Sequence, residues 1–306
     1  MDKMIKPKRL MPGDTIALIA PCDGVKLGQA DGPLAQLEKI GYRTKVSRYF
    51  YDHDWTFAAS AEKRAADFNE MAADDEVKMV IFGGGEVSNE ILPYMDFETV
   101  RKHPKIYCSY SDGTTPLNAI TSLTGLVTYY GSDPGIPGGS NLYSARSFEA
   151  AVNTGTAPYN FEKSSPWTTI RGGEGTGELI GGFLANFALM LGGSYLRIDK
   201  TKRYLLFLED HEQFGAPNVT SKYLSHIEQS GLMENVSGLI MGHYAEKDYP
   251  DINAILSRVA ERYGIPTVKT DDFGHGPFRA TLPIGVSAVL DADAQTLRFL
   301  ENTVES

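Results

Sequence analysis

Ile106-Tyr107-Cys108-Ser109-Tyr110, followed at once by Ser111-Asp112-Gly113-Thr114, is the stretch that decides the fold. A short, mostly apolar run suits a buried strand, and the small polar residues after it suit a tight turn into a helix running to about Ser122. A strand feeding directly into a helix is the unit of a parallel sheet. Outward from this point the unit recurs. Val77 to Phe82 is an apolar run ending in Gly83-Gly84-Gly85, and Ala61 to Met71 before it is rich in helix formers, with Ser60 placed as N-cap. Arg43 to Ser47 fits a strand, and Leu34, Leu37 and Ile40 share a helix face closed by Gly41. Thr15 to Ala20 is a buried strand stopped by Pro21. Downstream, Gly131 to Gly139 and Asn153 to Gly177 read as loop. Regular structure resumes with a helix at Ala185 to Leu191, a strand at Tyr204 to Leu208, a helix at Ser221 to Ser230, a strand at Gly238 to Met241 and a helix at Ile252 to Tyr263. Val286 to Leu290 and Thr296 to Leu300 flank Asp291-Ala292-Asp293 as an antiparallel hairpin. The expected fold is α/β: an N-terminal lobe with a mostly parallel sheet and helices on both faces, and a smaller C-terminal α/β lobe ending in a hairpin. The expected boundaries are 1–140, an interlobe linker over 141–176, and 177–306.

Composition excludes several classes. The 306 residues are 42% hydrophobic and 22% charged, which suits a folded chain with a real core. The net charge of −10, with no basic run, argues against a nucleic-acid polymer as partner. No apolar run approaches the ~20 residues of a membrane span, and Met1-Asp2-Lys3-Met4-Ile5-Lys6-Pro7 lacks the apolar core of a secretory signal, so a cytoplasmic location is expected. Cys22 and Cys108 make neither a disulfide framework nor a zinc site, and no close spacing of His and Cys suggests a metal.

Four features carry chemistry. Ser109-Tyr110-Ser111-Asp112-Gly113 has the small-x-Ser-x-Gly form of a nucleophile elbow, in which a strained turn lifts a serine hydroxyl beside helix N-terminal amides. The same residues also suit a simple helix cap. Gly83-Gly84-Gly85 ends a neighbouring strand, where glycine lets backbone N–H groups approach a substrate oxygen; an ordinary turn is the other reading. Glu209 follows the apolar strand Tyr204 to Leu208, and a carboxylate there needs a partner unless it joins Asp210 and Glu212 in a solvated loop. Of the histidines at 53, 103, 211, 226, 243 and 275, His275 lies between two glycines in a loop and is the best general-base candidate. Ser111, Glu209 and His275 together point to acyl transfer.

Several strings in register resemble the LD-carboxypeptidase family of serine peptidases, which includes muramoyltetrapeptide carboxypeptidases and the microcin C immunity peptidase. They are Pro7 to Thr15 with Ile19-Ala20-Pro21, Gly84 to Asp96, Tyr110-Ser111-Asp112 with Thr114, Gly181-Gly182, Leu206 to Asp210, and Phe273-Gly274-His275 with Leu282-Pro283-Ile284-Gly285. Ser109 stands where the family usually has glycine. The resemblance implies Ser111 as nucleophile, His275 as base and Glu209 as the acid that orients it. It implies an oxyanion hole from the amides of Asp112 and the Gly85 region, catalysis between the lobes, a homodimer, and no cofactor. The implied substrate is a small peptide, a murein tetrapeptide cleaved near its C-terminus, or alternatively a peptidyl-nucleotide. An α/β-hydrolase esterase and a muropeptide-binding protein without catalysis are the competing readings. A carboxypeptidase needs a cation for the free carboxylate; Arg279 is the first candidate and Arg171 the weaker. Trp167, in the interlobe segment, is expected either to plug the seam between lobes or to stack on a flat substrate group.

Overall fold

The computed structural model describes residues 4–305, so the first three residues of the N-terminal stretch read above lie outside the described residues. The first half contains β1 (Thr15–Leu18), α1 (Asp31–Lys39), β2 (Arg43–Val46), α2 (Ala61–Ala73), β3 (Val77–Ile81), α3 (Phe97–Lys102), β4 (Ile106–Ser109), α4 (Thr114–Thr124), β5 (Thr128–Tyr130) and α5 (Leu142–Glu149). The second contains β6 (Tyr159–Asn160), β7 (Thr168–Arg171), β8 (Glu174–Phe183), α6 (Leu184–Met190), β9 (Tyr204–Glu209), α7 (Pro217–Gln229), β10 (Val236–Met241), α8 (Pro250–Tyr263), β11 (Thr267–Lys269), β12 (Leu282–Ile284), β13 (Ser287–Asp291) and β14 (Thr296–Phe299).

Two sheets result. The first has the order β12-β5-β4-β3-β1-β2, parallel throughout except for β12, which runs antiparallel to β5. The second has the order β6-β14-β13-β8-β9-β10-β11-β7, with a parallel centre of β8, β9, β10 and β11. The apolar runs read from sequence form the central strands because both of their faces are buried: β4 and β9 have no exposed residue. The serine on Ser60 caps α2 by accepting from the Lys63 amide.

Residues 141–176, expected to link the lobes, hold more structure than their composition suggests. They contain α5 and the edge strands β6 and β7, and β8 begins within them at Glu174. These edges make the second sheet the wider of the two. The chain also crosses back: β12, late in sequence, closes the edge of the first sheet, where Pro283 removes no interior ladder bond. One apolar core then runs through both sheets, from Ile16 and Phe82 to Phe207 and Leu290. The carboxyl ends of β4 and β9 thereby meet.

Candidate active site

Ser111 sits at the sharp turn from β4 into α4 with φ +55°, one of only two non-glycine residues in that region among those described. Such a conformation costs roughly 1–3 kcal/mol and persists only where the surroundings hold it. They do so here. The Ser111 N–H donates to Tyr130 Oη at 3.0 Å, the Thr114 hydroxyl donates to the Ser111 carbonyl at 2.7 Å, and the Gly113 N–H donates to the Tyr110 carbonyl at 3.0 Å. The turn leaves no room at Gly84, whose backbone would place a Cβ 2.7 Å from that of Ser111.

Glu209 ends β9 with no exposure to solvent. Both its oxygens are used: Tyr130 Oη donates to Oε1 at 2.5 Å, and His275 Nδ1 donates to Oε2 at 2.9 Å. The other imidazole nitrogen, Nε2, lies 3.0 Å from Ser111 Oγ. The carboxylate partner sets the tautomer, leaving Nε2 free to accept the serine proton. Gly274, at φ +107°, lets the chain pass so close to Glu209 that a Cβ there would lie 2.9 Å from its Cβ. Tyr110, Phe183 and Phe214 wall the His275 ring, with centroids 5.5, 5.3 and 4.8 Å away. The line Ser111–His275–Glu209 joins the two sheets, and it can accept a proton from a serine attacking a carbonyl carbon.

Asp112 is buried, and its side chain braces the turn. It accepts from the Ser88 N–H at 2.7 Å and from Asn186 Nδ2 at 2.6 Å. Burial pushes its carboxyl pKa up, and the hydrogen bonds from Ser88 oppose that shift. Of the glycine triplet, Gly84 abuts Ser111. Gly85, the residue chosen from sequence, packs instead on the Cys22 carbonyl, 2.5 Å from where its Cβ would be. The carbonyl of Cys22 also accepts from Glu86 and Val87, so the glycine turn is pinned one residue later than the serine contact. A cavity of about 330 Å³ opens beside the turn, lined by Gly83, Gly84, Tyr110, Asp23 and Asp133.

Chain folding also gathers His211 and His243 near His275. The His211 ring centroid is 6.2 Å from that of His275, and burial, with His243 and His275 as like charges, pulls the His211 pKa down. His243 is buried and bonded to Asp271 at 2.9 Å. Only His275 reaches the serine. Among the described residues no group of three His, Cys, Asp or Glu side chains could hold a metal ion. Cys22 and Cys108 are buried free thiols, and burial pushes both pKa values up.

The LD-carboxypeptidase N-terminal domain model matches residues 16–131, and the LD-carboxypeptidase C-terminal domain model matches residues 176–290. The chain belongs to the LD-carboxypeptidase family. A relative named a probable murein peptide carboxypeptidase, from Bacillus subtilis (strain 168), is 32% identical over 95% of this chain and 93% of its own. The crystal structure of an MccF-like protein from Bacillus anthracis str. Ames matches with TM-score 0.89 at 27% identity, covering 97% of this chain and 99% of that one. A muramoyltetrapeptide carboxypeptidase from Oxalobacter formigenes matches with TM-score 0.79 at 26% identity, over 95% and 100% of the two chains.

In this family member the remaining sequence candidates fall unevenly. Arg279 lies near the site: its guanidinium stacks 4.4 Å above the Tyr110 ring and bonds Asp133 at 2.5 Å. Arg171 is on β7, the edge strand of the second sheet, and donates to the Gly172 carbonyl at 3.4 Å. The stacking role expected for Trp167 is corrected by its burial. Only 5% of it is exposed, its Nε1–H donates to Asp272 Oδ2 at 2.7 Å, and its ring meets Phe161. An indole so enclosed has no face left for a ligand. Trp167→Ala is therefore expected to cost about 3–5 kcal/mol of stability in a urea titration, and to lower turnover of a murein peptide and a peptidyl-nucleotide alike. A selective loss on the nucleotide substrate would restore the stacking role.

Residues that the sequence reading missed include Tyr130 and Asn186. Each is an ordinary member of an apolar or helical run, and no local spacing distinguishes it.

Proposed function

We propose that this family member is a serine carboxypeptidase that cleaves an amide bond near the C-terminus of a small peptide, and that its substrate is a murein tetrapeptide. The observation that carries the reading is the continuous hydrogen-bonded line from Ser111 Oγ through His275 to Glu209. Ser111 Oγ attacks the scissile carbonyl while its proton passes to His275 Nε2, and Glu209 holds the imidazolium that forms. The tetrahedral oxyanion is met by the Asp112 amide and the backbone of the glycine turn at Gly84, the glycine that abuts Ser111. His275 then protonates the departing amine. Water attacks the acyl-serine in the same way, with His275 again taking the proton, and the carboxylic acid leaves with Ser111 restored.

Arg279 supplies the cation for the substrate's free carboxylate. Its place on Tyr110, next to Ser111, supports this, as does an exposure of 25% for a side chain with only one carboxylate partner. Arg279→Ala is expected to raise KM for a peptide with a free C-terminal carboxylate about tenfold, with little change for the C-terminal amide. Equal KM changes on both would remove Arg279 from this role.

A second reading, hydrolysis of peptidyl-nucleotides, is favoured by the closer shape match to the MccF-like protein. The buried Trp167 weighs against it, since the aromatic expected to stack on the base is unavailable. Incubating purified protein with a murein tetrapeptide and with a peptidyl-adenylate analogue separates the two. Release of the terminal amino acid from the tetrapeptide, lost in Ser111→Ala, supports the proposal; cleavage of the adenylate alone would replace it.

A further inference from the structure

Tyr130 ends β5 in the first sheet, and Glu209 ends β9 in the second. The phenol is fully buried, with no face toward the cavity beside Ser111. Its oxygen nonetheless has two partners. It accepts the Ser111 N–H at 3.0 Å and donates to Glu209 Oε1 at 2.5 Å. One hydroxyl thus ties the backbone of the strained turn to the carboxylate that orients the base. We infer that Tyr130 is a positioning residue for hydrolysis, holding Glu209 in the rotamer that presents Oε2 to His275 while fixing the Ser111 backbone in its left-handed conformation. The inference rests on the Ser111–His275–Glu209 reading and extends it to a fourth side chain.

The chemistry of the contact gives it direction. A carboxylate between two donors shares its charge between them, so the Tyr130 hydrogen bond moderates the charge felt by the imidazole. The phenol stays a donor because burial, reinforced by Glu209, raises its pKa well above the ordinary value. Other charged and titratable groups facing His275 are Asp210 and His211 just after β9, with Tyr110 and the Arg279 stacked on it. His243 adds to these through His211. Tyr130 itself is faced by Glu209, the Thr114 hydroxyl and the Phe207 ring. None of them duplicates its pair of hydrogen bonds.

The test uses the full chain and a peptide substrate, with Ser111→Ala in the same assay. Tyr130→Phe is expected to lower kcat about ten- to a hundredfold, the effect of one lost hydrogen bond to a charged group, with KM within about twofold. The acid limb of kcat/KM should move to higher pH, because the undivided charge of Glu209 favours the imidazolium. Adding Tyr130→Phe to Glu209→Gln should cost little more than Glu209→Gln alone, since the phenol acts through that carboxylate. Losses that multiply, or a pH profile unchanged in Tyr130→Phe, would assign the residue to packing only. Should Tyr130→Phe not fold, 2,3-difluorotyrosine at position 130 keeps shape and hydroxyl but is a stronger donor. The acid limb should then move to lower pH, and an unmoved limb overturns the inference. Activity surviving in Ser111→Ala would instead overturn the catalytic reading beneath it, so the two failures are distinguishable.

Discussion

Ser111→Ala is expected to reduce kcat by roughly 10⁴- to 10⁶-fold while the protein remains folded, and His275→Ala to do about the same. The magnitude follows from geometry. In the proposed mechanism Ser111 Oγ, 3.0 Å from His275 Nε2, is the nucleophile, so removing either leaves the other without a task. The double variant should therefore be little worse than either single one. Glu209→Gln should lose somewhat less, about 10³- to 10⁴-fold, because an amide can still meet the imidazole but does not balance its charge. A fluorophosphonate probe read by mass spectrometry should label the unmodified protein and leave Ser111→Ala unlabelled. Losses in the Ser111→Ala, His275→Ala pair that multiply would mean that the two residues serve different steps.

Gly181→Ala should have the largest effect on stability, at least about 3–5 kcal/mol. Gly181 lies on β8 at φ +140°, and a Cβ there would fall 1.7 Å from the Phe207 carbonyl oxygen of β9. Neither backbone strain nor overlap can be relieved without separating two central parallel strands. The pairing of Phe183 with Glu209 lies two residues further along the same ladder, so activity should fall with stability. Gly192→Ala is the control. It also has positive φ, +91°, yet nothing lies within 4 Å of its Cβ position, so only strain of about 1–2 kcal/mol is expected. Thermal and urea unfolding of the two variants checks the contrast. If Gly181→Ala unfolds within about 1 kcal/mol of Gly192→Ala, close strand packing is not what makes position 181 glycine.

Most of the central architecture was legible in the residues. β1, β3, β4 and β9 are apolar runs with clear stops, and the β13–β14 hairpin flanks an obvious turn. β8 was hidden. Its sequence, Glu-Gly-Thr-Gly-Glu-Leu-Ile-Gly-Gly-Phe, carries four glycines; as far as Gly177 it reads as loop, and nothing after that suggests a strand. In the fold those glycines are where the backbones of β9 and β10, and the Thr114 side chain at the start of α4, come too close for any side chain. β7 was hidden for another reason: it is a half-exposed edge strand, whose pairing with β11 repays a sequence with no apolar alternation. β5 is only three residues long, and its importance lies in a hydroxyl rather than in its pattern.

The sequence by itself determined the parallel α/β units, a tight turn at Ser111 read as either a nucleophile elbow or a helix cap, and the residue types of a serine hydrolase, because strand runs, caps and tight turns depend on neighbours a few positions apart. The sequence already named Glu209 and His275 as candidates, from the end of an apolar strand, a glycine-flanked loop and the family resemblance; tertiary structure decided that they meet that serine in space, and that Tyr130 joins them. His275 reaches Ser111 from 164 positions away, Tyr130 meets Glu209 across 79, and Trp167 turns to Asp272 across 105. Contacts at such separations are set by which strand ends adjoin and which glycines let backbones touch, and no local pattern encodes them. The sequence left Trp167 with two possible fates for the same reason: an indole is equally suited to a ligand and to a core, and only the buried carboxylate of Asp272 beside it decides between them.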